Sequence, residues 1–188
     1  MTSSRVVANS DGGARGNPGP AGYGVRIETA TGDLEQELHA PIGMATNNVA
    51  EYRGLIAALS YLAEHGYDDA LIRSDSQLLV RQMQGRYRVR HPGLLPLYRQ
   101  AKALEAQFDQ VTFEHVRRTE NTEADRLSNV AMDAQEALEE ERSKESEDRR
   151  QEDPVAATPI NTPPSPIPNP SSANWACPGQ LANRSTRD

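Results

Sequence analysis

The chain has 188 residues, a formal net charge of −7 and 36% hydrophobic residues, below the ~45–50% of an ordinary globular protein, so one ordered domain with a polar remainder is expected. No run of ~18 apolar residues occurs, which excludes a transmembrane helix, and residues 1–7 lack the apolar stretch of a secretory signal. One cysteine, Cys177, excludes an internal disulfide framework and a cysteine-based zinc site, so a reducing cytoplasm is the expected location.

Residues 6–8 are a short apolar run that predicts a buried strand. Residues 11–20 are dense in glycine and proline and predict a loop. Residues 22–28 and 34–39 predict two strands joined by a turn at Thr31-Gly32-Asp33. Val49, Tyr52, Leu55, Ile56, Leu59 and Leu62 step by three and four, which predicts an amphipathic helix over 47–65 that stops near Gly66. A fourth strand is expected at 70–72, then a short helix carrying Leu78, Leu79 and Met83 and capped by Ser76. Residues 94–108 predict another helix and 111–116 a fifth strand. The last helix, 121–150, begins apolar (Ala124, Leu127, Ala131, with Leu138 further on) and becomes polar on every face. A three-stranded meander followed by α/β units predicts a mixed sheet with helices packed on it.

The charge is uneven. Residues 1–132 hold 14 basic and 16 acidic residues, whereas 133–153 hold 4 and 10. The acidity therefore belongs to the run after the core and says little about what the core binds. From Pro154 onward prolines recur without apolar period, which predicts disorder, with Trp175 as a solvated linker residue. The expected organisation is a domain over 1–135, a charged helical extension over 136–153 and a Pro-rich tail over 154–188.

Four acids fall at element ends: Asp11 after the first strand, Asp75 after the fourth, Glu51 near the start of the long helix and Asp125 in the first turn of the last helix. In open α/β sheets, sites collect beyond strand ends. Carboxylates gathered there repel one another and persist when hard cations neutralise them. Each acid also has a structural reading, because acids at helix N-termini favour the macrodipole and act as caps. Spacing alone leaves the two readings open.

Four segments resemble type 1 ribonuclease H. They are Asp11-Gly12-Gly13 with Gly16-Asn17-Pro18-Gly19-Pro20-Ala21-Gly22-Tyr23-Gly24, then Thr46-Asn47-Asn48-Val49-Ala50-Glu51, then Ser74-Asp75-Ser76-Gln77, and Glu120-Asn121-Thr122-Glu123-Ala124-Asp125-Arg126-Leu127-Ser128. Each string is weak alone, but the order and separations are specific, and the match covers about residues 5–135. The chain is most similar to members without a basic protrusion, such as the N-terminal domain of actinobacterial ribonuclease H/acid phosphatase fusions. The resemblance implies an α/β ribonuclease H-like fold, with a five-stranded mixed sheet (three antiparallel then two parallel strands) flanked by helices.

It also implies hydrolysis of the RNA strand of an RNA–DNA hybrid, giving 5′-phosphate and 3′-hydroxyl ends. Two Mg²⁺ ions, or Mn²⁺, would be held by Asp11, Glu51, Asp75 and Asp125. By the same resemblance Gly12, Gly13, Asn17, Asn47, Asn48 and Gln77 are expected to contact substrate. Asn17 could instead serve its turn, and Asn47 or Asn48 could cap the helix. For the family's histidine before the last aspartate, Arg118 is the expected counterpart, as a catalytic-site phosphate or product contact, and His115 is expected to be a packed strand residue.

Two departures matter. The long basic protrusion of some members is absent, and Arg81, Arg86, Tyr87, Arg88, Arg90 and His91 occupy a short connection that has the charge to touch phosphates. No Arg-His-Gly phosphatase signature follows the linker, so no phosphatase activity is expected. No membrane and no obligate protein partner are expected, and a monomer is the default. A binding module that has lost catalysis on the same fold is the alternative. The presence of all four carboxylates speaks for the enzyme.

Overall fold

The computed structural model describes residues 5–152. The Pro-rich tail, Trp175 and Cys177 lie outside the described residues. In chain order the elements are β1 (Val6–Ala14), β2 (Gly19–Thr29), β3 (Leu34–Ala45), α1 (Asn47–Glu64), β4 (Asp69–Ser74), α2 (Gln77–Met83), α3 (Leu95–Glu105), β5 (Gln110–His115), a 3₁₀ turn (Arg118–Glu120) and α4 (Thr122–Glu152). The strands form one sheet in the order β3-β2-β1-β4-β5. β1, β2 and β3 pair antiparallel, while β4 pairs parallel with both β1 and β5. This is the expected fold class. No helix among the described residues is long and apolar enough to cross a membrane.

The expected loop over 11–20 is mostly strand. β1 and β2 stay in register from Val6↔Thr29 to Ala14↔Ala21, leaving residues 15–18 as the turn. Gly16, at φ +107, serves the turn, whereas glycines within the two strands serve packing. A Cβ on Gly24 would lie 2.3 Å from the Ala124 carbonyl oxygen of α4, and one on Gly12 would lie 2.2 Å from the Ala50 carbonyl carbon of α1. Helix backbones approach the strands where side chains are missing.

Alternation along the strands gives the sheet two faces. Val6 and Ala8 of β1, Val25 and Ile27 of β2, and Ile72 of β4 are buried against Leu55, Leu59 and Leu62 of α1. Each buried Leu or Ile contributes about 1.5–3 kcal/mol relative to exposure. Tyr52 is buried here too, and its hydroxyl donates to Gln82 Oε1 at 2.8 Å, so its polar end is satisfied. α4 covers the opposite face over β1, β2 and β3, seating Ala124, Leu127 and Ala131 against it.

The register between β1 and its neighbours positions the site. β1 pairs with β4 as far as Ser10↔Ser74 and no further, whereas its pairing with β2 continues to Ala14. Asp11 in β1 and Asp75 just past the end of β4 are the next residues on two adjacent parallel segments. Since Ser10 and Ser74 are buried toward α1, the aspartates turn to the α4 side.

Candidate active site

Asp11, Glu51, Asp75 and Asp125 line one cleft of about 130 Å³, together with Gly12, Gly13, Asn47 and Arg118. Each acid comes from a different element or its edge. Asp11 lies within β1 rather than at its end, but at the end of the β1–β4 pairing. Glu51 is one turn into α1, whose first turn holds no acid, and Asp125 is in the first turn of α4. Arg118 is the one cation among the lining residues.

Each carboxylate is held by a protein donor. Ser128 of α4 donates to Asp11 Oδ2. Glu51 accepts from Asn47 Nδ2 at 3.0 Å and from the Ser76 hydroxyl. Ser76 also caps α2, accepting from the Leu79 N–H at 3.3 Å. Asn121 is buried and donates to the Ser10 carbonyl at 3.1 Å and toward Asp75 Oδ1 at 3.4 Å. Asp125 accepts from the Arg118 guanidinium and from Asn129 Nδ2.

Burial pushes the Asp11 carboxyl up to about 6, and the negative charges of Asp75 and Asp125 add to the rise against the lowering effect of Ser128 and the Gly12 N–H. Glu51 is pushed up to about 7, again by burial first, with Asp11 and Asp75 adding and Ser76 and Asn47 opposing. The cleft thus holds negative charge that its own residues neutralise only in part. Its carboxylates are hard oxygen donors, the chemistry that Mg²⁺ or Mn²⁺ takes. The residues fit a divalent cation. Among the described residues no three acidic, histidine or cysteine side chains already converge as a closed cage. That matches their separate engagement by Ser128, Ser76, Asn47 and Arg118.

The other expected contact residues are spread around this cleft. Gly13 lines it, and a Cβ there would meet the Met132 side chain at 2.8 Å. Gly12 is needed first for the approach of α1. Asn17 does not serve only its own turn: its Oδ1 accepts the Asn47 N–H at 3.3 Å, satisfying a free donor at the start of α1. Neither Asn47 nor Asn48 caps α1. The N-cap is Thr46, which makes no side-chain cap bond, and Asn48 is exposed. Gln77 is exposed and lines a neighbouring cleft instead. His115 is not packed as expected. It is exposed at the end of β5, where Nε2 lies 3.2 Å from the Asp75 carbonyl oxygen. Asn129 and Met132 escape sequence reasoning, and Ser76, Asn121 and Ser128 figured there only as a cap and as motif letters. Ser and Asn within or beside helices carry little signal of their own.

A family model described as reverse transcriptase-like matches residues 9–131. The bifunctional protein Rv2228c of Mycobacterium tuberculosis is 54% identical over 131 residues, which are 69% of this chain and 36% of that protein. The solved N-terminal RNase H domain of Rv2228c superposes with a TM-score of 0.71 at 52% identity, over 72% of this chain and 99% of that domain. The chain belongs to the type 1 ribonuclease H family. A further type 1 ribonuclease H, LC11-RNase H1, solved in complex with an RNA/DNA hybrid, is 42% identical with a TM-score of 0.66, over 71% of this chain and 99% of its own. This ribonuclease H chain spans about a third of the length of Rv2228c.

Proposed function

We propose that this chain is an endoribonuclease that hydrolyses the RNA strand of RNA–DNA hybrids in the cytoplasm, giving 5′-phosphate and 3′-hydroxyl ends. The observation that carries the reading is the gathering of Asp11, Glu51, Asp75 and Asp125 from four parts of the chain around one cleft with a single cation, Arg118. The hybrid bound to the related LC11-RNase H1 supports the substrate.

The four carboxylates would hold two Mg²⁺ ions, with Mn²⁺ as a substitute. Such ions, when bound, activate a water and stabilise the charge that develops on the phosphodiester oxygens. The chain's own residues do the rest. Ser128, Ser76, Asn47 and Asn121 orient the carboxylates. Asn47, on the cleft wall, offers an amide that can both donate to and accept from a ribose 2′-hydroxyl, the group that tells RNA from DNA. Gly13 presents its backbone in the cleft lining beside Met132. Arg118 cannot serve as a base at neutral pH and would contact the phosphate.

A labelled hybrid, duplex RNA and duplex DNA, each incubated with Mg²⁺, with Mn²⁺ and with chelator, tests the proposal. Cleavage confined to the RNA strand of the hybrid and abolished by chelator is expected. Tight hybrid binding with no cleavage in either metal would replace it with the binding-module reading.

A further inference from the structure

We propose that the cleft between α2 and the uncovered half of the sheet is a second nucleic-acid site, which holds a single strand running on beyond the hybrid. The inference rests on the ribonuclease reading for its substrate, but its geometry is separate. α4 covers β1, β2 and β3 and leaves β4 and β5 open on that face. At this end of the sheet a cleft of about 570 Å³ is lined by residues of both strands and of α2, which itself packs on the α1 side. A volume of about 570 Å³ suits a few nucleotides of one extended chain. β5, with six residues, makes a wall about 20 Å long, room for a few phosphates.

Four arginines from separated parts of the chain line it: Arg5, Arg73, Arg81 and Arg86. A structural role would pair each with an acid. Arg73 does meet Glu114, at 2.8 Å, and Arg5 lies 3.8 Å from Asp69. Among the described residues Arg81 and Arg86 have no such partner. Arg81 instead lies 5.1 Å over the ring of Tyr87 and donates to its hydroxyl. Glu114 is the one acid lining the cleft. A positive surplus here, in a chain of net charge −7, is an electrostatic track for phosphates.

The cleft also adjoins the carboxylate site. His115 lines it and lies 3.2 Å from the Asp75 carbonyl oxygen, and Gln77, at the start of α2, lines it two residues after Asp75. A strand leaving the carboxylates past Asp75 enters it directly. This track would supply backbone grip in a chain without the basic protrusion.

The test uses the full chain. First, a labelled single-stranded oligodeoxynucleotide of about ten nucleotides is titrated in chelator and read by anisotropy. Wild type is expected to bind it, and Arg73→Ser with Arg86→Ser to weaken binding at least about tenfold and flatten the log–log salt slope by about 0.7 for each phosphate left without its arginine. Arg73→Lys with Arg86→Lys should restore most of the binding, because charge rather than packing is at issue. Second, blunt hybrids are compared with hybrids carrying a single-stranded extension at each end in turn. One extension is expected to lower KM severalfold in wild type, and the advantage should vanish in the serine variant.

Wild-type cleavage of the blunt hybrid without gain from any extension would overturn this site and leave the ribonuclease reading intact. Oligonucleotide binding sensitive to the arginines, with no hybrid cleavage, would do the reverse. An oligonucleotide fully displaced by inorganic phosphate at constant ionic strength would also overturn it, since a single-anion pocket is not a strand track.

Discussion

The hydroxyl of Ser128 on α4 donates to a carboxylate oxygen of Asp11 on β1, joining residues 117 positions apart. Ser128 is buried, so Asp11 holds its orientation through the docking of the last helix. Ser128→Ala should cost about 1–3 kcal/mol, the range for a bond to a charged group or an unsatisfied buried one. The deficit should be larger at pH 8, where Asp11 is ionised and the bond is charge-assisted, than at pH 5. Urea unfolding at the two values checks it; equal deficits would mean that the hydroxyl serves packing alone.

The raised carboxyls of Asp11 and Glu51 give stability a definite pH dependence. Both bind a proton more tightly in the folded chain than in the unfolded one, where carboxyls titrate near ~4. Between that value and about 7 the folded chain carries more protons, so the contribution of these two groups to stability falls as pH rises and levels off above. Thermal melts in chelator should show Glu51→Gln gaining on wild type from pH 4.5 to 7.5. Added Mg²⁺ should remove much of that gain by stabilising the wild type. A difference independent of pH would contradict the burial argument.

Asp75→Asn should leave the fold intact while cleavage drops by at least about 100-fold, the order seen when a preorganised electrostatic group is lost. Its melting temperature should equal or exceed that of wild type, because a repulsive charge beside Asp11 is gone. Cleavage near the wild-type rate would remove Asp75 from the chemistry.

Arg118→Ala should change stability by less than about 1 kcal/mol, since the Arg118 side chain is 75% exposed and its pair with Asp125 is solvent-screened. Turnover on saturating hybrid should fall with the fold unaltered. An unchanged rate would show that the guanidinium touches neither phosphate nor product.

Gly24→Ala should be severely destabilising, by about 3 kcal/mol or more, because its Cβ would meet the Ala124 carbonyl oxygen and the Leu127 side chain. Gly32→Ala is the comparison. It sits at φ +86 with nothing within 4 Å of a new Cβ, so it costs only the left-handed backbone strain of about 1–2 kcal/mol. Similar losses in both would mean that α4 can move away from β2.

The element order and the helix faces were legible because they rest on periodicity: Leu55, Leu59 and Leu62 mark the buried side of α1 directly. The four acids were legible through the strings around them. The extent of β1 and β2 was not, since glycine weakens a strand pattern while Gly12, Gly22 and Gly24 are the places where helices press on the sheet. The bond from Asn17 to the start of α1 joins a turn to a helix 30 residues away, and no local pattern encodes it. Arg81 and Arg86 stood out in the sequence as charge able to touch phosphates, but Arg5 and Arg73 join their wall only after the sheet forms.

The order of the four acids along the chain bears on biosynthesis. Asp11, Glu51 and Asp75 leave the ribosome well before Asp125. A nascent chain that has already paired β1 with β4 therefore still lacks one wall of its cleft and the hydroxyl that steadies Asp11. Nuclease activity would switch on only once α4 has emerged, after most of the sheet is in place, so a truncated translation product would not cut the nucleic acids around it.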